Sequence, residues 1–250
     1  ITPDSFSDGG KFNNLSRALQ HAEMMIDNGV DIIDIGAEST RPGAKITPID
    51  LERERIEPVI KAIKQNFNIP VSIDTYKPEI MELGIDLGVE MVNDIYALRQ
   101  PRCLDTVLNS DIMICLMHMK GSPQDMQLNP SYKDVALEVG QFLQDRIIIC
   151  EKFGIDKSRI ILDPGFGFGK TYENNIKLFQ SIDKLNSLSK HLLIGVSRKS
   201  MVRKIVGEAE NDIIYGSAIM AAISILRGAR IVRVHDIKET KNALKILKLK

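Results

Sequence analysis

Short, continuously apolar runs recur along the whole chain, at Asp31–Gly36, Val71–Thr75, Met91–Ile95, Met113–His118, Arg159–Gly165, Leu192–Ser197 and Ile231–Asp236. Runs of this length, rich in β-branched residues, predict strands of a parallel sheet buried on both faces. Between them the period changes. Leu15, Ala18, Leu19, Ala22, Met25 and Ile26 form one helical stripe, and Pro78 stands where the first turn of a helix tolerates a missing N–H. Gly29, Gly88, Gly154 and Gly228 each fall between such a helix and the next run, where a left-handed residue ends the helix and turns the chain back to the sheet.

Strand and helix alternate with no linker, low-complexity tract or charge block between them, so residues 1–250 are expected to form a single α/β domain. The length of 250 residues is also that of one (β/α)8 TIM barrel. Seven runs are visible where a closed barrel needs eight, and the helix at residues 15–28 has no run before it. The expectation is an N-terminally truncated barrel with the first strand upstream of Ile1. An open doubly wound sheet has the same periodicity and stays as the rival.

Composition removes several function classes. Thirty-three Lys and Arg balance thirty-three Asp and Glu, and five Tyr and eight Phe with no Trp make a thin aromatic complement. Neither a basic footprint nor a base-stacking platform is present, so no nucleic-acid partner is expected. The cysteines, Cys103, Cys115 and Cys150, are odd in number and show no metal or disulfide spacing, which points to a reduced, cytoplasmic enzyme. The longest apolar stretches, such as Ile219–Leu226, are far short of the ~20 residues a membrane span needs, so no membrane partner is expected either.

Candidate chemistry gathers at the ends of the runs, where a barrel presents its active site. Glu38 follows the first run, Asp74 nearly ends the second, Asn93 and Asp94 sit in the third, His118 ends the fourth and Asp163 lies in the fifth. Arg198 and Lys199 follow the sixth, and Arg233 and His235 lie in the seventh. A lone Asp after a strand is more often a cap or turn residue, but every run shows the pattern. Acceptors on some strands and cations on others suit a ligand with a donor-rich heterocyclic edge and an anionic group. The glycines of Gly165-Phe166-Gly167-Phe168-Gly169-Lys170-Thr171 do not make an ATP loop, because Pro164 stands where the first glycine of that motif belongs. A tight turn against a flat ligand is the better reading. His21 and His191 are assigned to surface or packing, and Met117 and Met119 mostly to core filling.

These blocks resemble bacterial dihydropteroate synthase. The likeness is carried in order by Thr2-Pro3-Asp4-Ser5-Phe6-Ser7-Asp8-Gly9-Gly10, Glu38-Ser39-Thr40-Arg41-Pro42-Gly43, Asp74-Thr75, Asn93-Asp94-Ile95, Leu162-Asp163-Pro164-Gly165-Phe166-Gly167-Phe168-Gly169-Lys170, Ser197-Arg198-Lys199-Ser200 and Arg233-Val234-His235-Asp236. The resemblance implies a barrel that joins 6-hydroxymethyl-7,8-dihydropterin diphosphate to 4-aminobenzoate, a cytoplasmic homodimer and sulfonamide target using Mg2+. It implies that Asp74, Asn93, Asp163 and Lys199 hold the pterin, with Asp74 and Lys199 catalytic. It places Arg233, His235, Asp8 and Arg41 on the diphosphate, and Phe6, Thr40, Arg41, Pro42, Phe168, Lys199 and Ser200 around the aminobenzoate. The family's Mg2+ ligand is an Asn two residues before the Thr-Pro-Asp segment. Ile1 directly precedes Thr2 here, so that position is outside the sequence and no metal ligand is assigned within it. A pterin-dependent methyltransferase, or a silent pterin-binding paralogue, is the alternative on sequence alone.

Overall fold

The computed structural model describes residues 11–39, 43–188 and 191–247. Each apolar run carries a strand: β1 (Ile33–Ile35), β2 (Val71–Asp74), β3 (Met91–Asp94), β4 (Met113–Met117), β5 (Ile160–Asp163), β6 (Leu193–Ile194) and β7 (Ile231–Val232). The helices between them are α1 (Lys11–Asp27), α2 (Ile49–Asn66), α3 (Pro78–Asp86), α4 (Cys103–Leu108), α5 (Val135–Phe153), α6 (Tyr172–Gln180), α7 (Ile182–Asn186), α8 (Ser200–Val206), α9 (Glu210–Leu226) and α10 (Ile237–Leu247). Local chemistry sets their ends. Pro78 occupies the first turn of α3. The Asp134 carboxylate accepts from the N–H groups of Ala136 and Leu137 to start α5, and Gly154, at φ 103°, ends it.

All pairings are parallel and follow chain order. β1 to β5 form one sheet, a bridge between Leu162 and Leu192 carries the wall to β6, and β6 pairs with β7. A doubly wound sheet would reverse its strand order, and the described strands do not. Arg233, just past β7, reaches Asp34 in β1 at 2.7 Å and Asp74 at the end of β2 at 3.0 Å, so the wall curls back on its own beginning. The fold is the (β/α)8 TIM barrel. Among the described residues seven strands are present and none lies between β7 and β1. An apolar cavity of about 370 Å³ lies there, lined among others by Ile32, Ile231, Val234, Ile237 and Leu244. The strand expected upstream of Ile1 falls outside the described residues.

Alternation along the strands decides which side chains meet. Ile33, Ile35, Val71, Ile73, Val92, Ile114, Leu116, Ile160, Leu162 and Ile194 pack outward into the core shared with the helices. Met91, Cys115, Ile161 and Leu193 form a separate inner cluster, with Met113 and Ile231 against it. The period of two therefore puts Asp34, Ser72, Asp74, Asn93, Asp163 and Arg233 on the inner face as well. The barrel is apolar at its base and polar toward the carboxyl ends of its strands.

Candidate active site

Asp34, Asp74 and Arg233 form the centre of the polar layer. The guanidinium donates through Nε to Asp34 at 2.7 Å and through one terminal nitrogen to Asp74 Oδ2 at 3.0 Å. Burial raises the Asp74 pKa and Arg233 opposes that rise, while the charge of Asp34 adds to it. Arg233, held chiefly by Asp34, is raised in turn. Beside Asp74 the register brings Asn93 level with it. Asn93 is buried and its Oδ1 has no hydrogen-bond partner among the described residues. An orphaned buried acceptor at a strand end is the kind of group a ligand satisfies.

Asp163 starts a second part of the site. Its carboxylate accepts from the Gly165 N–H at 2.7 Å. Burial raises its pKa, and the charge of Lys199 holds it down. The following turn approaches β4 so closely that a Cβ on Gly165, at φ +68°, would lie 1.9 Å from the His118 carbonyl oxygen. Lys170, buried beneath the turn, donates to the carbonyls of Gly165 at 2.7 Å and Phe168 at 3.1 Å, and sits 3.0 Å from His118 Nδ1. Burial and the neighbouring ammonium push the His118 pKa down to about 2, so the ring is neutral and accepts from Lys170. This fixed turn presents the Phe166 carbonyl, which accepts from Lys199, and the Phe168 ring, whose centroid is 4.9 Å from Lys199 Nζ. Burial lowers Lys199 to about 8.

The segment before Lys199 is held by side chains from two other elements. Arg198 adopts φ 57°, a left-handed conformation uncommon for a side chain of its size, and its N–H donates to Ser217 Oγ at 2.9 Å. Its guanidinium pairs with Asp236. Ser200 is exposed and opens α8. His235 contacts Ser197 through both its N–H and its ring.

Farther out, Lys77 ties three segments together. Its ammonium lies 2.6 Å from Glu38 and 2.5 Å from Glu52, with all three side chains nearly buried. It also donates to the Thr47 carbonyl at 2.5 Å, while the Thr47 N–H donates to Glu38 at 2.8 Å. Thr75 and Tyr76 hydroxyls complete the carboxylates' partners, at 2.9 Å and 2.7 Å. The segments entering at Glu38 and leaving at Thr47 are thereby clamped to the residues that follow β2.

Of the residues singled out in the sequence, Asp74, Asn93, Asp163, Phe168, Lys199, Ser200, Arg233 and His235 all lie at the same mouth. Phe6, Asp8, Thr40, Arg41 and Pro42 lie outside the described residues. Arg233 faces inward onto two carboxylates, a pairing the motif pattern did not indicate. Sequence reasoning also passed over Asp34, although Ile33 and Ile35 flanking it are a period-two signal for an inward Asp. Lys77 and Glu52 carried no local signal, and Lys170 and Ser197 lay inside the sequence motifs without being given a role.

A barrel mouth lined by acceptors that face an orphaned Asn and by cations beyond them defines a receptor for a small polar heterocycle bearing an anion. Residues 1–235 match the family model described as "Pterin binding enzyme". The dihydropteroate synthase of Escherichia coli (strain K12) is 42% identical over 247 residues, 99% of this chain and 88% of that protein. That of Neisseria meningitidis serogroup C is 45% identical over 250 residues, 98% of this chain and 88% of that protein. Among solved structures, Yersinia pestis dihydropteroate synthase in a sulfonamide drug complex aligns with TM-score 0.92 at 42% identity, covering 99% of this chain and 90% of that one. Xanthomonas albilineans dihydropteroate synthase in complex with 7,8-dihydropteroate aligns with TM-score 0.89 at 38% identity, covering 99% and 89%. The chain belongs to the dihydropteroate synthase family.

Proposed function

We propose that this mouth performs the synthase reaction with its own residues in the following roles. The chain condenses 6-hydroxymethyl-7,8-dihydropterin diphosphate with 4-aminobenzoate to give 7,8-dihydropteroate and pyrophosphate. Asp74, Asn93 and Asp163 receive the N–H edge of the pterin, and Lys199 donates to its acceptor side. The observation that carries this assignment is the unpartnered, buried Asn93 Oδ1 beside Asp74.

The bond between the pterin methylene and the diphosphate oxygen breaks with its electron pair going to oxygen, and the lone pair of the aryl amine then attacks the methylene. The amine loses its proton to water. Asp74 offsets the positive charge that develops on the ring, and Arg233 with His235 stabilises the departing anion; preorganised charges of this kind are usually the largest catalytic term. Phe168 and the stem of Lys199 form a wall for the aminobenzoate, with Ser200 at its carboxylate end. Phe6, Thr40, Arg41 and Pro42 are assigned to the same subsite, and Asp8 and Arg41 to the diphosphate, on family resemblance.

Mg2+ is assigned to the diphosphate, whose oxygens suit an ion that binds through few protein ligands. Among the described residues no cluster of His, Cys, Asp or Glu converges to hold a metal.

The homodimer is assigned to the outer face of α9, where Tyr215, Ile219 and Leu226 lie on one helical stripe and stay 57–61% exposed. A cytoplasmic setting agrees with three free, buried cysteines. No single described helix is long and apolar enough to cross a membrane.

Incubating the protein with pterin diphosphate, 4-aminobenzoate and Mg2+ tests the activity directly. Pyrophosphate and dihydropteroate should form in equal amounts, and absence of both would overturn the reading.

A further inference from the structure

Ser197 ends the apolar run of β6 and is 5% exposed. Its Oγ accepts the backbone N–H of His235 at 3.1 Å and lies 3.0 Å from Nδ1 of the same residue. A hydroxyl has one proton to give and two lone pairs to accept with. One lone pair is taken by the His235 N–H. Among the described residues the only acceptor within reach of the hydroxyl proton is His235 Nδ1. Were Nδ1 protonated instead, Oγ would receive two donors and its own proton would be left buried without a partner, the costly arrangement.

We infer that Ser197 is a positioning residue that fixes His235 as the tautomer protonated at Nε2, so that the outward edge of the ring is a hydrogen-bond donor. His235 Nε2 has no partner among the described residues and the side chain, part-buried on its Ser197 side, is otherwise open to solvent, which leaves that donor free for an anionic oxygen. Burial and the charges of Arg233 and Arg198 lower the His235 pKa, against the opposing charge of Asp236, so the ring is neutral and its tautomer decides what it can do. A ring protonated at Nδ1 would turn a lone pair toward the anion and repel it. Because one hydroxyl engages both the backbone and the ring of His235, it sets ring rotation and proton position together. Second partners of ligand-binding histidines act in the same way at metal sites.

The inference rests on the assignment of His235 to the diphosphate, and the test separates the two. Long-range 1H–15N correlation spectra of the 15N-labelled protein above the histidine pKa report each ring's tautomer. The signals of His235 are identified by their absence in His235→Asn, which leaves His21, His118 and His191. Nδ1 of His235 should be of the unprotonated type and Nε2 of the protonated type. Ser197→Ala should shift the ring toward a mixture and weaken pyrophosphate binding about twofold to tenfold by calorimetry, the worth of one such hydrogen bond. Ser197→Thr, which keeps the hydroxyl, should restore both.

A wild-type ring protonated at Nδ1 overturns the inference without any variant. So does an unchanged tautomer in folded Ser197→Ala, or a changed tautomer with unchanged affinity when His235→Asn itself weakens pyrophosphate binding. If His235→Asn binds pyrophosphate as tightly as wild type while Ser197→Ala still moves the tautomer, the hydroxyl does set the ring and the diphosphate assignment of His235 is what fails.

Discussion

Replacing Gly165 by Ala tests how the glycine turn supports the site, because the structure separates two costs that usually arrive together. A left-handed backbone costs an L side chain about 1–2 kcal/mol wherever it occurs. Gly88, at φ +74°, has nothing within 4 Å of an added Cβ, so Gly88→Ala should lose only that amount. Gly165, at φ +68°, has the His118 carbonyl oxygen 1.9 Å from the same position. The turn must move by more than an ångström, adding about 1–3 kcal/mol of overpacking. The shift also pulls Gly165 O from Lys170 and Phe166 O from Lys199. At about 2–4 °C per kcal/mol for a chain of this size, Gly88→Ala should lower the melting temperature by about 2–8 °C and Gly165→Ala by about 4–20 °C, always more than Gly88→Ala. Misplacing Lys199 by that much should also slow turnover by about 10²-fold, whereas Gly88→Ala should leave it unchanged. Thermal melts and steady-state assays of both variants decide the matter. Equal losses of stability, or full activity in Gly165→Ala, would show that the close approach to His118 does not hold the site.

Three further outcomes follow from the charges. Asp74→Asn should stay folded, since Arg233 keeps Asp34, and should lose about 10²-fold or more in turnover; near-normal rates in a folded variant would remove Asp74 from the mechanism. Lys199, lowered by burial from 10.5 to about 8, gives up its proton in the folded state earlier than in the unfolded chain. Its contribution to stability therefore improves as pH rises from about 8 toward 10.5. Pterin affinity should fall across the same window in wild type but not in Lys199→Met, and a pH-independent wild-type affinity would refute the ammonium's role. Lys77→Met should leave two nearly buried carboxylates without their cation, costing about 3–5 kcal/mol; an unchanged melting temperature would mean that water already reaches the cluster.

The strands were legible because burial on both faces writes itself into adjacent positions, and all seven apolar runs carry one. Chain order of the helices and the glycine turns between them were legible for the same reason. The choice between a barrel and an open sheet was not, since both have the same local period and differ only in which strands become neighbours. Asp74, Asn93, Asp163, Lys199 and Arg233 could be named because motif spacing put each beside a strand end. Their partners could not: Arg233 and Asp34 are 199 positions apart, and they meet only because the wall curls. The same holds for Lys77 between Glu38 and Glu52, which reads along the chain as an ordinary surface residue, and for Ser197 against His235, whose place at the end of a run does not name its partner. Periodicity is a property of neighbours in sequence, whereas a pKa, a tautomer or an ion pair depends on which side chains the closed sheet aims at one another across its interior.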